Sequence, residues 1–308
     1  MQAVILAAGD GGRLVPMTFF QPKPLIKVCG KPMLDYTVEA LERAGVRDIL
    51  IVTGYKAWRI SEYVRGEAPY RARIVLAHNP EYEKGNALSL LAGQKYIRKC
   101  PFILAMADHL FSPELIMEAL RQSNSTGNFL AVDYDPGPWI VEEATKVLVD
   151  EKGEIRAAGK DLKQFNAVDT GLFILTEEIF TAIKQVLAEK GDCELSDALN
   201  YLIEAGSGLK ACNVSGCFWM DVDTPEDLRR AEIRLSREVQ NARRVRFPIF
   251  EPEILKATGS PSRSNTTYPK FRKLLELSRR DWLRTRFPEG AERPGRDPGP
   301  GGLGGGWG

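Results

Sequence analysis

The stretch Leu6-Ala7-Ala8-Gly9-Asp10-Gly11-Gly12-Arg13-Leu14, followed by Gln21-Pro22-Lys23-Pro24-Leu25, sets a glycine-rich turn and two cations directly after a short apolar run. Without a Cβ in the way, the N–H groups of Gly9, Gly11 and Gly12 can approach an anion closely. Arg13 and Lys23 lie ten residues apart, within reach of one polyphosphate. A Walker A loop is excluded because no Lys-Ser or Lys-Thr follows the glycines, and a dinucleotide fingerprint because Leu14 stands at its last glycine. A plain strand-to-helix turn would use the same glycines. Pro22-Lys23-Pro24 favours a ligand loop, since a lysine between two prolines is restricted before anything binds.

Acids complement the loop. Asp108 comes two residues after the apolar run Phe102–Met106, and Asp221 and Asp223 follow Phe218-Trp219-Met220. Oxygen ligands at strand ends beside a polyphosphate loop suit Mg²⁺, which takes few carboxylates and fills its shell with phosphate and water. Asp108 also reads as a turn acid or the cap of a helix at Pro113, and Asp223 as the cap of one at Pro225. His109 reads as structural or as a group that polarises a ligand. Glu83-Lys84-Gly85-Asn86-Ala87 opens a helix; its small residues would let a base lie on the backbone, Asn86 would offer its amide, and an ordinary N-terminal cap explains it equally. Lys160 and the run Asp169-Thr170-Gly171 supply further polar groups.

These residues need a scaffold. Apolar runs at 4–6, 49–52, 73–77, 102–106 and 129–133 alternate with helical patterns at 33–44, 58–65, 87–97 and 113–121, which predicts a Rossmann-like α/β fold: a mostly parallel sheet with helices on both faces. Ligands of such sheets gather beyond the carboxyl ends of the strands. Later residues read as a hairpin (145–149 and 154–158), a strand at 168–175, helices at 177–187 and 195–205, strands at 209–214 and 218–220, and a helix from Pro225 to Arg237 capped by Thr224.

Residues 1–240 are expected to form the catalytic domain. Residues 241–308 divide into a Pro/Ser/Thr-rich linker, a basic segment at 270–286 with amphipathic spacing, and an end with nine glycines and four prolines within 287–308. Residues 234–308 hold 16 basic and 8 acidic side chains, so residues 1–233 carry −7 within an overall +1. An acidic body excludes nucleic acid as the partner its charge would select, and calls for a metal or local cations to hold a polyphosphate. Five scattered cysteines fit reduced thiols and a cytoplasmic setting. The first strand begins almost at once, leaving no room for a leader, and no run approaches a membrane span. The basic segment suits a membrane surface or partner enzyme; a disordered extension is the plainer reading.

The chain resembles the nucleoside-diphospho-sugar pyrophosphorylases, whose pattern LAAGxGTRL…PKPL, central metal Asp and late WxD are matched by Leu6–Leu14, Pro22–Leu25, Asp108 and Trp219-Met220-Asp221. Within them it is most similar to the CTP:inositol-1-phosphate cytidylyltransferases, through Glu83-Lys84-Gly85-Asn86, Asp108-His109, Glu143-Ala144-Thr145-Lys146, Gly159-Lys160-Asp161-Leu162, Val168-Asp169-Thr170-Gly171 and Trp219–Thr224. The resemblance covers about residues 1–235 and implies the nucleotide-diphospho-sugar transferase fold. It implies that Leu6–Gly9, Gly11, Gly12, Lys23, Glu83 and Gly85–Ala87 bind the nucleotide, most simply CTP, and that Arg13 and Lys23 are catalytic. It also implies that Glu143, Lys160, Asp169, Thr170 and Gly171 hold a phosphorylated polyol such as inositol 1-phosphate, and that Asp108 and Asp221, with Asp223 as an alternative, hold Mg²⁺. The product would be a CDP-alcohol, a precursor of a phospholipid or compatible solute. Gly12 replaces the family's usual Thr, and Ala107 the usual glycine before the metal Asp. Such enzymes are often fused to a membrane CDP-alcohol phosphotransferase, whose DGxxAR…GxxxDxxxD signature is not found here, so a second step is expected from a separate polypeptide. A sugar-1-phosphate, phosphocholine or molybdopterin-type nucleotidyltransferase, or a nucleotide-sensing subunit, would share the loop; retained metal carboxylates argue against a pure binder.

Overall fold

Continuous apolar runs become strands buried on both faces, and amphipathic runs become the helices that cover them. The computed structural model describes residues 1–246 apart from 124 and 125. Its first half contains β1 (Gln2–Ala7), β2 (Lys27–Val28), β3 (Lys31–Pro32), α1 (Met33–Arg43), β4 (Asp48–Thr53), α2 (Ala57–Gly66), β5 (Arg73–His78), α3 (Asn86–Gly93), β6 (Phe102–Met106), β7 (His109–Phe111) and α4 (Pro113–Gln122). There follow β8 (Phe129–Asp133), α5 (Pro138–Glu143), β9 (Lys146–Val149), β10 (Ile155–Gly159), β11 (Ala167–Leu175), α6 (Glu178–Lys190), α7 (Leu195–Glu204), β12 (Lys210–Asn213), β13 (Trp219–Asp221) and α8 (Pro225–Arg246). The linker, basic segment and Gly/Pro-rich end expected beyond residue 247 lie outside the described residues. Among the described residues no helix is long and apolar enough to cross a membrane.

The main sheet runs β5-β4-β1-β6-β11-β9-β10, with β8 also on β11 and β12 beyond β8. β1, β4, β5 and β6 pair in parallel, as do β8 and β12. β11 is antiparallel to β6, β8 and β9, and β10 to β9, so only β10 and β11 run against the other seven strands. Alternation along β1 sends Val4 and Leu6 to the face covered by Leu88 and Leu90 of α3 and Ile179 and Ile183 of α6. Ala3, Ile5 and Ala7 go to the opposite face, against Leu34, Val38 and Leu41 of α1. Each large aliphatic side chain buried in these layers contributes about 1.5–3 kcal/mol.

Two irregularities open the sheet where chemistry needs room. The first two residues of β11 pair with β9 and its last four with β6, so between Val168 and Leu172 neither β9 nor β6 supplies a ladder partner, while β8 pairs Val132 with Asp169. Gly171, at φ +79°, lies where the register of β11 against β8 shifts. The second is the ladder of β7 with β13, which places Asp221 opposite His109, Met220 opposite Leu110 and Trp219 opposite Phe111. Leu110, Met220 and Val222 bury with Leu14, Val28 and Met33, fastening this ribbon beneath the glycine loop. The sequence pattern did not predict β7, the β2–β3 pair or α5. The predicted helix 87–97 ends at Gly93 and continues as a tight turn, Gln94–Tyr96. The hydroxyl of Ser112, not Asp108, caps α4. Thr224 caps α8 as expected, in reciprocal bonds with Asp227, which frees Asp223 from capping.

Candidate active site

The glycine loop leaves β1 at Ala7 and is pinned at its root, where the Ala8 carbonyl accepts from Tyr55 N at 2.9 Å. Gly11 has φ +68°, and a Cβ there would sit 2.8 Å from Lys23 Cβ, so glycine lets the loop lie directly on the lysine stem. Gly9 faces open space instead. The Gly12 N–H is bound to the Asp10 carboxylate at 3.1 Å. Among the described residues nothing accepts from the N–H groups of Gly9, Asp10 or Gly11, which leaves a row of donors of the kind that holds anions. Leu6 takes no part through its side chain, which is core, and its carbonyl is bound to Ala107 N.

Lys23 is buried at the start of the tight turn Lys23–Leu25. Its ammonium donates to Asp108 Oδ2 at 2.8 Å and to Asp223, while Arg13 pairs with Asp223 and lies 3.5 Å from Glu143. Burial works against the Lys23 charge, but Asp108, Asp221 and Asp223 outweigh it and hold its pKa above the usual lysine value. Burial would raise the Asp108 carboxyl, yet Lys23 and His109 hold it well below the ordinary range. Asp223 is also held low, chiefly by Lys23 against the pull of burial.

Asp221 differs. Burial pushes its pKa up to about 7, opposed by His109, and its Oδ1 is buried without a hydrogen-bond partner. The His109 Nδ1 is bound to Asp108 Oδ1 at 2.9 Å and lies 3.8 Å from Asp221 Oδ1. Donor atoms of Asp108, His109 and Asp221 all lie within 4.8 Å of one another. An orphaned buried carboxylate oxygen beside a second carboxylate fits a hard divalent cation. Asp221 suits this better than Asp223, whose oxygens already face Arg13 and Lys23.

His109 holds this geometry. Its ring stacks with Phe111 at 5.9 Å and Trp219 at 6.4 Å, and the indole donates to buried Asp133 at 2.9 Å. Gly171 closes over it, where a Cβ would fall 2.5 Å from the ring. Burial lowers the His109 pKa, but Asp221 and Asp108 raise it further, to about 9.

A cavity of about 620 Å³ opens beside the acids. Arg13, Asn86, Asp108, Glu143, Lys160, Asp169, Gly171, Asp221 and Asp223 all line it, although the sequence spreads them over more than two hundred positions. Asp169 accepts from Gly171 N at 2.6 Å, and burial pushes its pKa up to about 6. Thr170 corrects the expectation: it is fully buried on the other side of β11, its hydroxyl bound to the Ala131 carbonyl. Strand alternation forbids neighbours 169 and 170 from facing one cavity. Glu83 is exposed on the turn Tyr82–Lys84, and Ala87 is fully buried; neither lines the cavity. Glu194, Ser196 and Asp197 do line it. They were not anticipated, and the only signal was an acid-rich helix start after Cys193.

The nucleotidyl transferase family model matches residues 2–238. The chain is 38% identical over 240 residues to a bifunctional IPC transferase and DIPP synthase of Thermococcus kodakarensis, covering 77% of this chain and 51% of that protein. It thus spans about half the length of that relative. It is 33% identical over 252 residues to the UTP–glucose-1-phosphate uridylyltransferase AglF of Haloferax volcanii, covering 79% of this chain and 99% of that one. Among solved structures it is similar to the inositol-1-phosphate CTP transferase of T. maritima, with TM-score 0.66, 27% identity, and coverage of 75% of this chain and 94% of that one.

Proposed function

The chain belongs to the nucleotidyl transferase family, and from that premise we propose that it joins CTP to inositol 1-phosphate with release of pyrophosphate, leaving a CDP-alcohol. The observation that carries this is the unpartnered, buried Asp221 oxygen beside Asp108, between a loop of unpaired N–H donors and a cavity lined by Lys160 and Asp169. Such a layout holds a charged nucleotide tail on one side and a polar acceptor on the other. The names of its relatives direct the choice of substrates.

In this reading the N–H groups of Gly9–Gly11 and the cations Arg13 and Lys23 hold the triphosphate. Lys160 holds the acceptor phosphate, and Glu143 and Asp169 accept from polyol hydroxyls. An oxygen of the acceptor phosphate attacks the α-phosphorus in line; the α–β P–O bond breaks and its electron pair leaves with pyrophosphate. Mg²⁺ held by Asp108 and Asp221 would neutralise charge on the phosphate oxygens. Positioning and charge neutralisation suffice, with no covalent enzyme intermediate.

Full coverage of a uridylyltransferase supports a second reading, UTP with glucose 1-phosphate. Pyrophosphate release across a matrix of the four NTPs against inositol 1-phosphate, glucose 1-phosphate and phosphocholine separates the two. CTP with inositol 1-phosphate is expected to be fastest; UTP with glucose 1-phosphate in first place would replace the reading.

A further inference from the structure

We propose that Lys146 is a positioning residue for Lys160, fixing the backbone from which that side chain enters the cavity; this rests on the reading above that Lys160 holds a phosphate, and not on which substrate carries it. Residues 160–166 carry the chain from β10, on one side of β9, to β11 on its other side. Lys146 stands in register with both strands, opposite Gly159 of β10 and Val168 of β11. The far end of the connection is fastened by Asn166. Its N–H donates to the Val147 carbonyl at 3.1 Å, and its side-chain amide makes bonds of 2.9 and 2.8 Å with the Val149 backbone. The near end is held differently. Lys146 Nζ donates to the Lys160 carbonyl at 2.7 Å and lies 5.8 Å from the centre of the Phe165 ring. Among the described residues, this ammonium is the one group outside residues 159–166 that hydrogen-bonds to residues 160–165.

Lys160 lines the cavity, and Lys146 does not. The Lys146 charge is spent on a backbone carbonyl, in a bond stronger than one between neutral groups. Lys160, Asp161 and residues 163–166 are exposed, so burial does little to hold this loop. A lysine stem is flexible, and ordering it on a phosphate costs less when the backbone at its base is already fixed. Cutting the bond leaves Lys160 its ammonium but removes the fixed point from which it reaches, so affinity falls while the bound complex keeps its chemistry.

The test is a double-mutant cycle on the full chain, read as pyrophosphate release. Lys160→Ala identifies the substrate whose phosphate Lys160 holds, by raising its KM. Lys146→Met keeps the length of the stem and removes the donor. It should raise KM for that same substrate about tenfold, with the other KM changed less than about twofold and kcat less than about threefold. In the Lys160→Ala background the same change should add less than about twofold, since nothing remains to be positioned. Lys146→Arg keeps a donor and should recover most of the affinity. Phe165→Ala removes the ring beside the ammonium and should raise the same KM about twofold; an unchanged KM there would overturn the inference even if Lys146→Met fails to fold. Full additivity of the Lys146 and Lys160 losses, or a rise shared equally by both KM values, would also overturn it. Lys160→Ala with both KM values unchanged would overturn the role given to Lys160 and this inference with it. If the wild type turns over another NTP and acceptor, the choice of substrates falls, and the cycle run with that pair still decides the role of Lys146.

Discussion

The glycine loop and the acid cluster both stand at carboxyl ends of parallel strands, β1 and β6, yet they are built on opposite principles. The loop is open: Gly9 and Asp10 are exposed, Gly9 borders empty space, and three N–H donors have no acceptor among the described residues. The cluster is closed: Asp108, Asp223, Lys23 and His109 satisfy one another, and one oxygen of Asp221 is left over. The open half offers backbone dipoles that, in the proposed reading, would meet an anion without rearrangement. The closed half holds its charges in mutual balance and leaves one carboxylate oxygen of Asp221 without a hydrogen-bond partner. Lys23 joins the halves, with its stem under Gly11 and its ammonium on Asp108.

The sharpest break comes on the closed side. Asp108→Asn removes a carboxylate from the proposed cation site and a partner from Lys23, and should lower kcat by about 10³-fold, measured as pyrophosphate release. Lys23→Ala removes a buried ammonium and leaves Asp108 and Asp223 as half-buried like charges. It should cost about 1.5–3 kcal/mol in denaturant unfolding, as losing hydrogen bonds to charged groups does, with kcat falling about 10²–10³-fold. Near-normal stability would show that the cluster does not depend on this ammonium.

The two loop glycines sharpen the contrast within the open half. Gly11→Ala meets positive φ and the Lys23 stem, so it should cost about 1–3 kcal/mol of stability. Gly9→Ala has room and should stay within about 1 kcal/mol of wild type, while raising KM for the nucleotide where a phosphate must approach the backbone. Equal stability losses would erase the difference between a packed and an open glycine.

The smallest effect is a pH dependence. Burial holds Asp221 protonated up to about pH 7, so a cation that needs its carboxylate must displace a proton below that pH. Calorimetric Mg²⁺ affinity should therefore rise roughly tenfold between about pH 6 and pH 8, and Asp221→Asn should remove the slope. For the metal-free fold the sign is reversed. A carboxyl with a raised folded pKa lends stability that is present at low pH and lost as pH rises through about 7, so Mg²⁺ should raise Tm more at pH 8 than at pH 6.

What the chain reveals by itself follows the range of the forces involved. Strands such as Phe102–Met106 and helices such as Met33–Arg43 are legible because burial imposes local patterns on residue types. The loop was legible because Gly11 and Pro22-Lys23-Pro24 meet local backbone demands. The ribbon of β7 and β13 was not: three residues such as His109-Leu110-Phe111 carry no period, and only pairing across a hundred positions makes them a strand. The same pairing gives His109 its place between two carboxylates, which its neighbours in sequence do not indicate. Thr170 was placed on the wrong face because strand alternation turns it away from Asp169, and the bond of Asn86 to Leu195 N was hidden because the two lie 109 residues apart.

The central claim is a transfer in which the acceptor's own phosphate oxygen attacks the α-phosphorus of CTP, and isotope labelling tests it most directly. With inositol 1-phosphate carrying ¹⁸O in its phosphate, mass spectrometry of the products should find all the label in CDP-inositol and none in pyrophosphate. Label in pyrophosphate, or turnover of CTP without CDP-inositol, would contradict the account.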